Sequence, residues 1–293
     1  MDEPELAERF DRQRPRLRAV AYRILGSLSE ADDAVQEAWL RLWRTDAEQI
    51  DSLEPWLTTV VARICLNMLR SRRTRGEQPL DALVPEPIID DPAAGTDPEH
   101  EALLADSVGI ALQVVLETLN PAERIAFVLH DMFAVPFDEI AAMVERSPGA
   151  TRQLASRARR RVRESAPQPD PDLTRQRAVV DAYFSAARDG DLEALVAVLD
   201  PSVVLRAHRR DGDPLELHGA AQVAQGAMAA RRFAPYVRPA LVNGAAGAIA
   251  FDGERPFAVL AFTVIRDRAV AIDVFNDPEL VGKLDIGGIT ASC

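Results

Sequence analysis

From Phe10 to about Gly76 apolar residues recur at spacings of three and four, with Val20, Ile24, Ala31, Val35, Ala38 and Leu42 in series. That is the period of amphipathic helices with one buried face, and it predicts three or four packed helices. Ser29 followed by Asp32 fits a capping box, and Pro55 before Trp56 sits where a first helical turn tolerates a missing N–H. Residues 77–100 lose the period: Pro79, Pro85, Pro87, Pro92 and Pro98 stand among acidic side chains with no lysine or arginine, the mark of a linker. The helical period resumes from Leu103 to Val162. Breaks at Asn120-Pro121, Val135-Pro136 and Ser147-Pro148-Gly149 divide it into a compact four-helix unit. A Pro-rich hinge over 166–171 follows. Beyond it, 178–187 and 192–199 read as helices, whereas 202–206, 246–251, 257–265 and 269–275 read as strands, with Arg266-Asp267-Arg268 as a hairpin turn. No internal repeat of solenoid length is present.

A chain of 293 residues exceeds one ordinary core. The pattern predicts a multidomain protein: an all-α unit over 1–78, a linker over 79–102, a second all-α unit over 103–166, and an α+β unit over 172–285. Formal net charge is −12, which argues against indiscriminate coating of nucleic acid. The positive charge is nevertheless clustered, and Lys283 is the single lysine. Local arginine groups therefore matter more than the total. Cys65 lies in an apolar helical run and Cys293 ends the chain, so both read as reduced thiols. The acidic, mixed N-terminus and the lack of an apolar run near the roughly 18 residues of a membrane span predict a cytoplasmic protein that does not enter membranes. No cofactor is expected, since no metal-ligand spacing and no glycine-rich phosphate loop stands out.

Three segments carry candidate chemistry. In 56–75, Leu57, Val60, Val61, Ile64 and Met68 form an apolar stripe that leaves Arg63, Asn67, Arg70, Arg72, Arg73 and Arg75 to solvent. So many arginines at one helix end repel one another unless an anion neutralises them, and phosphates suit guanidinium groups; a solvated charged face is the alternative. In 137–162, Phe137 to Val144, a turn at Glu145 to Gly149, and a second helix spell a helix-turn-helix. Ala150, Leu154, Ala158 and Val162 recur every four residues and can pack inward, leaving Ser147, Thr151, Arg152, Gln153, Ser156, Arg157 and Arg160 for a major groove; ordinary helix packing is the alternative. In 22–42, the run Asp32-Asp33-Ala34-Val35-Gln36-Glu37-Ala38-Trp39 puts acid near a helix start, which locally is only good capping.

Taken together, these segments resemble extracytoplasmic-function RNA polymerase sigma factors, in that family's order, over about residues 8–165. Asp32 to Trp39 is similar to their polymerase-binding helix, the arginine helix after Pro55-Trp56-Leu57 to their −10 segment, and Leu119-Asn120-Pro121-Ala122-Glu123-Arg124 with the helix after Ser147 to their −35 domain. The resemblance makes 1–78 the sigma region-2 domain and 103–166 the region-4 domain. It implies that Asp32, Asp33, Gln36, Glu37 and Trp39 meet core RNA polymerase, that the set from Arg63 to Arg75 meets promoter DNA and its opened −10 strand, and that the second helix of the helix-turn-helix reads the −35 element. Asn67 stands where many family members carry an acid, and an amide can donate as well as accept.

Helix, helix and curved sheet over 172–285 resemble the SnoaL-like, ketosteroid-isomerase-like cone carried by one subfamily of these factors, a fold shared by enzymes and binding modules. Val84-Pro85-Glu86-Pro87 is similar to that subfamily's Leu-Pro-Glu-Pro linker signature and Asn276-Asp277-Pro278-Glu279-Leu280 to its C-terminal motif. His208 to Asp213 replaces its Asp-Gly-Gly-Gly stretch. Regulation in cis is implied through Pro85, Glu86, Pro87, Asn276 and Pro278, with Ile88-Ile89 as a contact point. The expected function is promoter-directed transcription initiation, without enzymatic activity. Two alternatives are a helix-turn-helix regulator that never joins polymerase, and an enzyme in which Tyr183, His208, His218 and Asp273 meet in the cone for proton transfer. A small-molecule or protein ligand of the cone, and the oligomeric state, stay open.

Overall fold

The computed structural model describes residues 3–45, 50–74, 85–93, 109–165, 169–208 and 215–291. It divides into two compact units. One comprises Met1–Pro85, Pro98–Asp106 and Gln113–Ala166; the other comprises Glu86–Asp97, Ser107–Leu112 and Pro167–Cys293.

The first unit begins with α1 (Glu3–Leu25), α2 (Leu28–Arg44) and α3 (Leu53–Thr74). They bury Phe10, Leu17, Val20, Ile24, Val35, Leu42, Leu57 and Val61, the stripe that the 3.6-residue period marks out. Gly26 ends α1 with φ +74°, a left-handed cap that glycine adopts without steric cost. The expected capping box at Ser29 does not form. Gly26 leaves Ser27 extended (φ −128°, ψ 133°), so Ser27 is the N-cap and its hydroxyl accepts from the Glu30 N–H.

Next come α4 (Gly109–Glu117), α5 (Pro121–Phe127, running into a π turn at Val128–Met132), α6 (Phe137–Val144) and α7 (Pro148–Ser165). Asn120 caps α5 with Pro121 in its first turn. Glu145 takes the left-handed conformation (φ 57°) that closes α6.

A helix leaves its last four carbonyls unserved; in α1 the first is served by the Gly26 cap and the other three from distant parts of this unit. Tyr22 O accepts from Gly26 N (2.8 Å); Gln113 Nε2 donates to Arg23 O (3.3 Å), Arg124 Nη1 to Ile24 O (2.9 Å) and Arg72 Nη1 to Leu25 O (3.3 Å). Arg124 also pairs with Glu117 at 2.8 Å, both nearly fully buried. Burial pushes the Glu117 carboxyl above the usual carboxylate range, against the opposing pull of Arg124 and Arg72.

The second unit is a seven-stranded sheet in the order β1-β4-β5-β6-β7-β2-β3, with helices α8 (Leu173–Asp189), α9 (Leu192–Val198) and α10 (Ala220–Ala230). The strands are β1 (Ile89–Asp90), β2 (Leu199–His208), β3 (Leu215–His218), β4 (Val237–Val242), β5 (Ala245–Asp252), β6 (Arg255–Ile265) and β7 (Arg268–Phe275), and α11 (Pro278–Val281) follows. All neighbours are antiparallel except β2 and β7, which run parallel. Val180, Tyr183, Leu195, Val203, Val223, Phe262 and Ile272 form the core of this helix-on-sheet layer. The turn at Arg266-Asp267 has positive φ at both residues (49° and 63°), as a two-residue hairpin requires.

Besides β1 and α11, three more elements lie outside the sequence expectation. Alanine-rich α10 has too weak an apolar contrast to mark a face. β3 is four residues long. β4 contains Pro239, which argues against an interior strand; its N–H is not missed, because β1 pairs with Leu241 and Val242 and, among the described residues, no strand pairs with Pro239 on that edge.

β1 is itself part of the Pro-rich linker. Ile89 pairs with Val242 and Asp90 with Leu241. Asn243, held at φ 49° in the Asn-Gly turn after β4, accepts from Ile88 N through Oδ1 (3.0 Å) and donates its own N–H to Ile88 O (2.8 Å). Ile88 and Ile89 are each 1% exposed. The linker has become the edge strand of the sheet, by the same main-chain pairing that lets peptides add to sheets.

Candidate nucleic-acid interface

α2 buries Ala31, Ala34, Val35, Ala38 and Leu42 and turns the opposite side to solvent. Asp33 and Gln36 are exposed there. Asp32 is held by two bonds from Arg18 (2.6 and 3.1 Å), and Glu37 pairs with Arg41 at 2.9 Å. Trp39 is half-buried between Phe10 (ring centroids 4.9 Å) and Trp43 (5.9 Å), so it contributes mainly to packing. The same exposed side carries Leu40 (41% exposed) and Trp43 (51%), which the sequence reading left out. Their signal was available: Gln36, Leu40 and Trp43 follow at four and three residues, opposite the buried stripe. Acid with exposed apolar anchors suits a protein partner better than phosphate.

On α3, Arg63, Asn67, Arg70 and Thr74 are exposed along one face. The buried side differs from the expected stripe: Val60 and Met68 are half-buried, and Cys65, Leu66 and Leu69 are buried instead. This helix packs against α1, α2, α5 and α6, so more than one side is covered. Burial pushes the Cys65 thiol up, which keeps it protonated and unreactive. Arg72 departs from its expected role. It ion-pairs with Glu30, caps Leu25 O and is mostly covered, because its position on the helix falls at the end of α1, where a carbonyl and a carboxylate await a donor. The Arg73 side chain and Arg75 lie outside the described residues.

The Arg63 face meets the C-terminal end of α6. Arg63 Nη2 donates to Ala142 O at 3.4 Å, and Arg70 Nη1 lies 3.9 Å from Glu145 Oε1. The negative end of a helix dipole and one carboxylate thus occupy arginines suited to anions.

In the helix-turn-helix, α7 buries Thr151, Ala155 and Ala158, steps of four and three. Ala150, Leu154 and Val162 are half-buried, because a 3.6-residue helix rotates away from a strict four-residue repeat. Thr151 is therefore withdrawn from the groove-facing set; its hydroxyl donates to Ser147 O at 3.1 Å. Ser147 Oγ accepts from Ala150 N at 3.2 Å, so that hydroxyl caps α7. Arg152, Gln153, Ser156, Arg157 and Arg160 are exposed together. Arg152 rests over the Phe137 ring at 5.7 Å, and Arg157 is held weakly by Glu123 at 3.9 Å. Gly149 shares this face; a Cβ there would meet nothing within 4 Å and its φ is ordinary.

Pro85, at the end of the first unit, is buried; in the second unit Pro87 is buried, Glu86 and Asn276 are half-buried, and Pro278 opens α11 exposed. Asp277 caps α11 by accepting from Glu279 N (2.7 Å) and Leu280 N (3.3 Å). The proton-transfer set does not assemble. His208 Nε2 lies 3.1 Å from Asp273 Oδ1, with Arg206 3.6 Å from the same carboxylate. Tyr183, however, lines a cavity with Leu205 and Val274; alternation along β2 and β7 puts His208 and Asp273 on the opposite side of the sheet. His218 is exposed and pairs with Glu216 at 3.2 Å. Among the described residues no group of three His, Cys, Asp or Glu could hold a metal ion, and no helix is long and apolar enough to cross a membrane.

Comparison with known proteins finds two family models: Sigma-70 region 2 matches residues 9–75, and Sigma-70 region 4 matches residues 110–162. The ECF RNA polymerase sigma factor SigJ of Mycobacterium tuberculosis is 37% identical over 295 residues, spanning 94% of this chain and 93% of that protein. The probable ECF RNA polymerase sigma factor SigI of the same species is 34% identical over 274 residues, 92% of this chain and 93% of its own. The crystal structure of M. tuberculosis SigJ superposes with a TM-score of 0.77 at 33% identity, over 96% of this chain and 99% of that one. The likeness thus includes the sheet-bearing second unit.

Proposed function

Because the chain belongs to the extracytoplasmic-function RNA polymerase sigma factors, we propose that it joins core RNA polymerase in the cytoplasm and directs initiation at promoters with −35 and −10 elements. The C-terminal unit tunes this activity in cis and performs no catalysis. In this reading 1–78 is the region-2 domain, 79–102 the linker, 103–166 the region-4 domain and 172–285 the regulatory domain.

The single observation that carries the reading is the set of three separate exposed faces in the first unit: acid with Leu40 and Trp43 on α2, Arg63-Asn67-Arg70 on α3, and Gln153-Ser156-Arg160 on α7. Asp33, Gln36 and Glu37, with the two apolar anchors, meet polymerase; Asp32, Trp39 and Arg72 hold the shape of those faces. Gln153, Ser156 and Arg160 are of the length and chemistry that read base edges, with Arg152 and Arg157 on flanking phosphates. Arg63 and Arg70 exchange the end of α6 for promoter DNA, which requires α6 to leave α3. The linker strand paired with β4 supports regulation in cis, since a linker held in a sheet cannot extend freely. Separation of His208 and Asp273 from Tyr183 supports a role without catalysis.

The test is transcription in vitro with purified core polymerase, with and without this protein, on fragments of its genome's upstream DNA. Protein-dependent initiation at a shared two-part motif is expected. DNA binding without initiation would instead identify a regulator that does not join polymerase. A chain ending at about residue 166 and another lacking the residues from Asn276 should both alter output; unchanged output from both would refute regulation in cis.

A further inference from the structure

A π turn, a left-handed alanine and a stacked histidine in the first unit meet at one ring, and the faces described above use none of them. After α5 the chain makes the π turn at Val128–Met132, a form that recurs at functional sites. Two residues on, Ala134 takes φ 55°, a left-handed conformation that costs free energy for a residue with a Cβ. Together they bring Val135 back over the turn. Val135 N donates to Leu129 O at 2.9 Å, and Val135 O lies 3.0 Å from His130 Nδ1, which must donate because a carbonyl only accepts. That bond fixes the imidazole plane. The Phe137 ring stacks on it, with centroids 3.7 Å apart and planes inclined by 26°, and Arg152 of α7 rests its guanidinium over Phe137, 5.7 Å from the ring centre.

Arg157, Arg159 and Arg161 on the same helix each have a carboxylate at 3.9 Å or less. Among the described residues none lies within ion-pair distance of Arg152, and its side chain is exposed, so its charge is available to an anion. Gln153, Ser156 and Arg160 follow at three and four residues and share one stripe. Arg152 stands one residue, about 100°, to the side of that stripe, where α6 begins.

We infer that His130 and Phe137 form a platform that sets Arg152 for a backbone phosphate at the edge of the groove, which makes both rings positioning residues for DNA binding. A guanidinium stacks on an aromatic face and keeps its forked donors free for a phosphate. A flexible arginine loses rotamer freedom when a phosphate captures it, and one already resting on a fixed ring has less to lose. The π turn and the strained Ala134 are then the means by which the histidine reaches the ring. The inference rests on the reading of α7 as the DNA-contacting helix, and its test needs no polymerase.

Binding of the full chain to fluorescein-labelled duplexes of its genome's upstream DNA is followed by anisotropy over a range of salt. Arg152→Gln should lower the slope of log affinity against log salt by about one. Phe137→Leu and His130→Ala should each weaken binding about two- to fivefold, and Phe137→Tyr, which keeps the aromatic face, should hold parental affinity. In the Arg152→Gln background neither Phe137→Leu nor His130→Ala should matter, because no guanidinium is left to hold. Rings that only support the fold would weaken binding in both backgrounds. That result, or parental affinity in Phe137→Leu and His130→Ala, would overturn the inference. If Phe137→Leu does not fold, His130→Ala and Phe137→Tyr complete the same cycle. A parent chain without salt-dependent DNA binding would refute the DNA reading of α7 and the platform with it, whereas the variants at Phe137 and His130 test the platform alone.

Discussion

Arg124 binds the two helical halves of the first unit together, and Arg124→Met tests how. The substitution keeps most of the buried aliphatic volume but removes the ion pair of the buried Glu117 carboxylate, leaving it only the weaker pull of Arg72, and removes the donor to Ile24 O. Breaking a buried pair from one side costs about 3–5 kcal/mol, most of it the penalty on the abandoned charge. Because burial already raises the Glu117 carboxyl, the folded state binds its proton more tightly than the unfolded chain does. Its contribution to stability is thus present in acid and declines as pH rises from the ordinary carboxylate range through the raised value. Without Arg124 that interval extends to higher pH. The penalty should be largest near pH 7.5 and shrink toward pH 5. Urea unfolding followed by tryptophan fluorescence measures it, since Trp39, Trp43 and Trp56 all belong to this unit. Adding Glu117→Leu should recover at least half of the loss. A penalty below about 1 kcal/mol, independent of pH, or no recovery in the double variant, would refute the reasoning.

Asp33→Arg should reduce affinity for core polymerase at least tenfold with an unchanged melting temperature, as read in a pull-down and a thermal melt, since Asp33 is exposed. Gly149→Ala should slightly raise the stability of α7, by up to about 1 kcal/mol; a fall in promoter affinity in a gel shift would then report close approach of DNA to that backbone. Thr151→Val should leave DNA affinity within twofold of the parent, because its hydroxyl faces Ser147 O. Asn243→Gly keeps the left-handed turn but removes the acceptor for Ile88 N; protease cleavage in the linker should accelerate and transcription output should change.

The helices were legible wherever one side meets solvent and the other a core, as in α2, where the apolar spacing alone identifies the buried stripe. The helix-turn-helix was legible from its breakers, and the Arg266-Asp267 hairpin from turn chemistry. Failures came where a side chain's fate depends on what stands opposite. Thr151 is polar and lies among groove-facing residues in sequence, yet the rotation of a 3.6-residue helix turns it inward. Arg72 sits in a run of arginines, but the open carbonyl at the end of α1 draws it away from solvent. Pro239 argues against a strand unless its edge is known to be unpaired, and the Asn243-Gly244 turn signals a hairpin only once both strands are recognised.

By itself the sequence determined the order of units, the period of the helices and the chemistry offered on each exposed face, because these depend on residues a few positions apart. Its motif order also sufficed for the family resemblance. Only the tertiary structure decided that the linker is a strand of the distant sheet and that His208 and Asp273 lie across that sheet from Tyr183. Those are pairings over long separations, set by which backbone edges and buried polar groups find partners on folding, and no local pattern encodes them.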